Sequence, residues 1–471
     1  MLHQSSYREL SELYRRGEVS PVEVVRSALN HADQTQSALN AFALIDHERS
    51  IAAAKRSEAR WQAGTPIGPM DGMPITIKEF AAVEGWPTRR GSAVTSADPA
   101  PHSTAFVQRL LDAGAILLGK TRAPEFNWKG VTDSPAHGVT RNPWDTALTP
   151  GGSSGGCAAA VAAGITRVSM GSDAGGSIRI PAAFTGTLGL KPTFGRIPVA
   201  PQPSAFSNVV HTGPIGASTD DIERVMQVVS GASSTDWTSL TGQQDYPANH
   251  IEAGALRFGV LQPDRWADSS PEVKQGMDQI VRMYHDARID VQEVDFDVQG
   301  ASAVGEFFYR IGCLSAVDAV PTAQHANLDQ GLVAFADTVR DSTLAEYLSQ
   351  LQKRDAVANA LSKVFEDIDV LILPTLPIHA FEAGSNAPAA WHSPDWMTWN
   401  PYTPAFNVSQ SPALSYPVWP EGSTLPVGIQ FVAPKFCEDK LLATACWLER
   451  KLPVRLSPLA DGGASVTQTH S

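Results

Sequence analysis

The sequence predicts a mixed α/β fold, and three observations carry that expectation. Hydrophobic residues make up 43% and charged residues 18% of the 471 residues, enough to bury a large core and too little charge for a disordered chain. Alternation in Met73-Pro74-Ile75-Thr76-Ile77, an amphipathic stretch from Thr104 to Asp112 stopped by Gly114, and the apolar run Ala115 to Leu118 form a β-α-β rhythm that favours parallel pairing. Between Gly151 and Pro181, two glycine- and serine-rich turns flank small apolar residues, a pattern that a flexible linker lacks.

In chain order, Ser5 to Arg16 and Ser20 to Ala32 read as helices of an outer layer. The second opens with the capping box Ser20-Pro21-Val22-Glu23, with proline at the first helical position. The strand ending at Ile77 delivers Lys78 to its tip, where α/β sheets place their sites. Ala158 to Gly164 reads as a closely packed helix and Val168-Ser169-Met170 as a short buried strand. A Pro-rich passage around Pro198 to Pro203, a helix from Thr219 to Val229 and a polar loop from Gly231 to His250, suited to a surface insertion, follow. Leu256 to Leu261, Asp290 to Phe296, Val370 to Leu373 and Val427 to Val432 read as strands. Pro271 to His285 and Asp439 to Leu448 read as helices, and the last dozen residues as a frayed polar end.

Composition narrows the function. A net charge of −13 speaks against nucleic acid as the main partner, since phosphate binding needs a basic face. The four cysteines, Cys157, Cys313, Cys437 and Cys446, show neither C-x-x-C spacing nor disulfide density, and no histidine pattern suits a metal. The N-terminus lacks the segments of a signal peptide, and no apolar run approaches the roughly 18 residues that cross a bilayer. A cytoplasmic protein without membrane partner, metal or other cofactor is therefore expected.

The two turns, Gly151-Gly152-Ser153-Ser154-Gly155-Gly156 and Gly171-Ser172-Asp173-Ala174-Gly175-Gly176-Ser177, are where chemistry is expected. Glycine lets backbone approach a ligand, so the second turn is suited to aim several N–H groups at a point beside the Ser177 hydroxyl. A nucleophile beside converging amides is equipment for acyl transfer. Neither turn fits a phosphate-binding pattern. Gly151-Gly152-Ser153-Ser154-Gly155 does fit the nucleophile elbow of α/β-hydrolases, which would need a late histidine, His379 or His392.

Both turns, with Pro150 and Pro181 at their edges, resemble the amidase signature family almost letter for letter. Pro74-Ile75-Thr76-Ile77-Lys78-Glu79 matches the family's lysine-bearing strand at the family's spacing. Arg141-Asn142-Pro143-Trp144-Asp145, Gly213-Pro214-Ile215-Gly216 and Leu425-Pro426-Val427-Gly428-Ile429-Gln430 extend the match over most of the chain. The resemblance implies one amidase domain over 1–471 with a central mixed β-sheet covered by α-helices on both faces. Within it, 1–65 would form an N-terminal helical layer, 66–230 the signature core, 231–410 the variable and substrate-loop region, and 411–471 the C-terminal strands and helix.

The resemblance also implies roles: Ser177 as nucleophile, Lys78 as a buried neutral base, and Ser153 as the proton shuttle between them, preceded in the family by a cis peptide bond. Ala174, Gly175, Gly176 and Ser177 would donate N–H groups to the oxyanion, with Ser154, Asp173 and Arg179 as supports and Glu79 outside the shuttle. The implied substrate is a small amide, anilide or carbamate; a homodimer is compatible with the family. Three residues depart from its pattern: Cys157, Ala174, and Ile180, where the A subunits of amidotransferases commonly carry Gln. Ile180 thus counts against a glutaminase component of a tRNA-dependent amidotransferase. Finally, Trp391, Trp396, Trp399, Tyr402 and Phe406 put five aromatics between 391 and 406. The segment has neither helical nor strand periodicity, so it reads equally as core or as a pocket-bordering loop that would favour aryl substrates, with Trp391, Trp396, Trp399 and Tyr402 as binding residues.

Overall fold

A computed structural model describes residues 1–200, 206, 209–241, 246 and 251–461. The C-terminal end read as frayed, from 462 on, and parts of the Pro-rich passage and of the polar loop lie outside the described residues.

The strands, in chain order, are β1 (Phe42–Ile45), β2 (Pro74–Lys78), β3 (Ile116–Thr121), β4 (Asp133–Ser134), β5 (Gly138–Val139), β6 (Val168–Asp173), β7 (Leu188–Lys191), β8 (His211–Gly216), β9 (Phe258–Leu261), β10 (Val291–Val294), β11 (Val370–Pro374), β12 (Ala413–Val418) and β13 (Val427–Val432). β4 and β5 form a small ribbon, and the other eleven join one sheet in the order β1-β3-β2-β6-β8-β7-β12-β13-β11-β9-β10. The neighbours β3, β2 and β6 are parallel, as are β11, β9 and β10, while the middle from β6 to β11 is antiparallel. Helices flank this sheet, and the central strands β2, β6, β7, β8, β12 and β13 are buried along their whole length.

Local chemistry explains where the helices begin. Ser20 and Glu23 close the expected capping box at Pro21–Leu39, and Ser218 caps Thr219–Val229 by accepting from the Asp221 N–H. Gly155–Ala162 is apolar on every side and buried throughout, so it packs between layers rather than on the surface. Its smallness is required: a Cβ at Gly156 would lie 2.6 Å from the Ala41 carbonyl oxygen.

Among the elements that escape the sequence reading, such as Phe42–Ile45, His47–Gln62 and His211–Gly216, four have definable reasons. β12 contains Pro417, which argues against a central strand, yet it pairs with both β7 and β13. β7 is only four residues long. The helix Leu344–Asp367 buries only Leu361 and shows a weak apolar stripe, whereas Val298–Asp318 buries side chains on most of its faces. Among the described residues no helix is long and apolar enough to cross a membrane.

Candidate active site

Parallel pairing of β2 with β6, in the register Thr76 to Ser169 and Ile77 to Met170, brings the C-terminal ends of the two strands side by side. Lys78 closes β2, and Ser172 and Asp173 close β6. Lys78 is fully buried, and its Nζ stands 2.7 Å from Ser153 Oγ and 3.0 Å from Ser172 Oγ. Burial lowers its ammonium to a pKa of about 7, against weaker opposing effects of Cys157, Asp173 and Glu79. Near neutral pH the amine is thus neutral in a large share of molecules and can accept a proton from the Ser153 hydroxyl. Glu79 is committed elsewhere, its Oε1 accepting from the Ala123 N–H at 3.0 Å.

Ser153 sits in the first turn, where the Gly152–Ser153 peptide bond is cis. The turn is clamped from two sides. Thr132 Oγ1 donates to the Gly151 carbonyl at 2.8 Å and accepts from the Gly155 N–H at 3.1 Å. A Cβ at Gly152 would lie 2.4 Å from the Val131 carbonyl oxygen, so no other residue fits there. Ser154 ties the turns together: its N–H donates to the Ser177 carbonyl at 3.1 Å and its hydroxyl to the Ser172 carbonyl at 3.1 Å.

The second turn is held by ion pairing. Arg179, wholly buried, donates through Nε to Asp173 Oδ2 and through Nη2 to Asp173 Oδ1, both at 2.9 Å. Its remaining N–H groups reach the Thr403 carbonyl, Gln430 Oε1 and Asn407 Oδ1. Burial alone would raise the Asp173 carboxyl, but the Arg179 guanidinium overrides it and holds the group well below the usual carboxylate range. The same carboxylate accepts from the N–H groups of Gly176, at 2.7 Å, and Ile178, at 3.2 Å.

That contact corrects one expectation. The Gly176 N–H is taken by Asp173 and is not free for an oxyanion. The N–H groups of Ala174, Gly175 and Ser177 have no acceptor among the described residues, which leaves them open to a ligand. The Gly175 carbonyl is turned the other way, accepting from Asn400 Nδ2 at 2.7 Å and Thr403 Oγ1 at 2.8 Å.

The aromatic segment supports this turn from behind. Trp396, Trp399 and Tyr402 are buried, Trp399 packing on Phe184 and Phe381 and Trp396 on Tyr309 and Phe335. Trp391 is half-buried and donates to Thr398 Oγ1 at 2.9 Å. None of the four, offered above as binding residues on the pocket reading of this segment, walls the cavity that contains Ser172; apolar packing has taken the rings of Trp396, Trp399 and Tyr402 inward. That cavity is formed instead by Phe80, Arg90, Phe126, Asn127, Phe206 and neighbours. His379 and His392, required by an elbow-type triad, are both exposed, and His379 Nδ1 is engaged with the Ala380 carbonyl.

Sequence reasoning missed Ser172, Asn400, Thr403 and Asn407, as well as Tyr309, whose hydroxyl donates to the Asn127 carbonyl at 2.5 Å and comes within hydrogen-bonding reach of Ser177. Ser172 carried a signal, being inside the second turn; the others come from distant segments and had none. No group of three or more metal-ligating side chains clusters among the described residues.

Comparison with known proteins shows similarity in sequence and fold to amide-processing enzymes. The amidase family profile matches residues 23–442. The A subunit of the glutamyl-tRNA(Gln) amidotransferase of Deinococcus radiodurans is 33% identical over 96% of this chain and 98% of its own. Its counterpart in Rhodopirellula baltica is 32% identical over 94% and 95%. A bacterial aryl acylamidase of the amidase signature family superposes with a TM-score of 0.87 at 26% identity, covering 98% of each chain. The 6-aminohexanoate cyclic dimer hydrolase, in complex with substrate, gives 0.86 at 28%, covering 97% of this chain and 99% of that one.

Proposed function

The chain belongs to the amidase signature family, and from that membership we propose that it hydrolyses the carbon–nitrogen bond of a small amide with an aryl or other apolar group, through an acyl-enzyme on Ser177. The observation that carries this reading is the buried Lys78 amine, 2.7 Å from Ser153 Oγ and poised near pKa 7, beside the Ser177 turn. Ser177 Oγ attacks the amide carbonyl while its proton passes to Ser153 and the Ser153 proton to Lys78. The oxyanion is received by the N–H groups of Ala174, Gly175 and Ser177. The carbon–nitrogen bond then breaks as the proton returns through Ser153 to the leaving amine, and water, activated by the same relay, releases the acid. No metal or other cofactor enters these steps. Phe80, Phe126 and Phe206 in the adjoining cavity support the apolar preference.

The test is hydrolysis of a panel of anilides, aryl carbamates, acetamide and glutamine by the wild type and by Ser177→Ala. Turnover of aryl amides that is absent from the variant is expected; preference for acetamide or glutamine would reject the aryl reading. A second reading, the glutaminase component of an amidotransferase, is favoured by the similarity to such proteins and weakened by Ile180. Stoichiometric copurification with a second chain, and glutaminase activity dependent on it, would establish that alternative.

A further inference from the structure

Two arginines near the site contrast sharply. Arg179 spends its guanidinium on Asp173, Thr403, Gln430 and Asn407. Arg90, half-buried in the loop after β2, walls the cavity of Ser172, and its side chain has no hydrogen-bond or ion-pair partner among the described residues. Burial lowers its guanidinium with no carboxylate to oppose the effect, and the charge it acts on, Lys120, has its own sign. A purely structural arginine would be paired, and a surface arginine would be fully solvated.

Two residues of the cavity wall carry other unmet polar atoms. Thr212, only 3% exposed, and Asn127 both line it, and Thr212 Oγ1 and Asn127 Oδ1 are buried without a partner among the described residues. Unpaired polar groups in the wall of one apolar cavity suit a ligand that brings a donor as well as an acceptor, as an amide with a second polar group does. The backbone adds an independent sign. Arg90 (φ 51°), Phe126 (φ 47°) and Asn127 (φ 62°), three of the non-glycine residues in the left-handed region, all line this cavity, and the Phe126 N–H donates to the Arg90 carbonyl at 2.8 Å. Arg90 also borders an adjoining, more open pocket with Thr88, Thr95 and Thr104, so it stands at the cavity's edge rather than at the reacting centre.

We infer that Arg90 is a specificity-determining residue that receives a carboxylate of the substrate, so that the preferred amide joins an apolar body to one anionic group. This rests on the hydrolase reading above and narrows its substrate class. One guanidinium matches the single charge and planar fork of a carboxylate, whereas a phosphate dianion would leave charge uncompensated between phenyl rings.

The test pairs succinanilic acid with butyranilide and 4-acetamidobenzoate with 4-methylacetanilide, acid against neutral amide of similar shape. The wild type is expected to favour the acid in one pair by about tenfold or more in kcat/KM. Arg90→Gln should lose that preference, KM for the acid rising far more than KM for its neutral partner, and Arg90→Lys should keep part of it. Calorimetric binding of benzoate against benzamide, to Ser177→Ala and to Ser177→Ala/Arg90→Gln, reads the contact without turnover and should show benzoate selectively weakened. Preference for the neutral amide in both pairs, an equal loss on acid and neutral substrates in Arg90→Gln, or benzoate affinity indifferent to Arg90 would overturn the inference. Failure to turn over any of the four amides would count against the hydrolase reading instead, and the benzoate titration would still decide on Arg90.

Discussion

Lys78 Nζ and Ser153 Oγ, 75 residues apart in the chain, meet at 2.7 Å inside a fully buried site. The strand that carries Lys78 supplies the low-dielectric surroundings, and the clamped glycine turn supplies the hydroxyl. Burial sets the protonation state, and the proposed chemistry depends on it.

The first expected outcome is a pH dependence. The ammonium form is inactive, so kcat/KM for a neutral amide should fall about tenfold per pH unit below a limb near pH 7 and level off above it. Stability carries the matching sign: with the folded value lowered, the unfolded chain binds more protons from about pH 7 up to the ordinary lysine range, so this residue's contribution to stability rises with pH there. Rate profiles from pH 5 to 9 check the first statement; an acid optimum would contradict it.

Removing any member of the relay should disable the whole. Ser177→Ala should abolish turnover, and Lys78→Ala and Ser153→Ala should each lower kcat by roughly a thousandfold or more, with the double variant little worse than either. Single-turnover kinetics on an anilide would measure this. Additive losses would mean that the two residues act separately.

Asp173 and Arg179 form an ion pair with both side chains at 0% exposure, where a lone charge is costly. Arg179→Met should lose about 3–5 kcal/mol in urea unfolding, and Asp173→Asn/Arg179→Met should recover part of it, because the stranded carboxylate is gone. A double variant less stable than Arg179→Met would refute this account.

Asn400 and Thr403 fix the Gly175 carbonyl and with it the Gly175–Gly176 peptide, which lies between the peptides that carry the free N–H groups of Gly175 and Ser177. Asn400→Ala or Thr403→Val should reduce kcat by about 10- to 100-fold with little change in KM, less than outright loss of an oxyanion donor. A pure KM effect would place these residues in substrate binding instead.

Trp399 is wholly buried against Phe184 and Phe381. Trp399→Ala should cost about 3–5 kcal/mol of stability while leaving the ratio of kcat/KM for anilide over acetamide unchanged in the folded fraction. A changed ratio would restore the ring to the substrate site.

By itself the sequence determined the chemistry-bearing stretches and most of the elements that present them. Capping residues, glycine stops and strand alternation are local, so the start of Pro21–Leu39, the helix Thr219–Val229 and the strand ending in Lys78 are legible from their own residues, whereas the first of these runs seven residues beyond the expected end at Ala32. The two glycine and serine turns are legible because close backbone approach admits few other residues, as the Val131 carbonyl beside Gly152 illustrates. Tertiary structure alone decided which groups are spent and which are free. The Gly176 N–H is consumed by Asp173, an outcome that depends on peptide planes fixed from Asn400, Thr403 and Asn407. The tryptophans of 391–399 had no periodicity to reveal their side, and packing turned Trp396 and Trp399 into the core. Arg90 looks like any loop arginine in the chain; only the fold sets it in the wall of a cavity where no described lining residue is a carboxylate, and the inference above rests on that placement. Burial and pairing are properties of what surrounds a residue, and for these positions the surroundings come from segments far away in sequence.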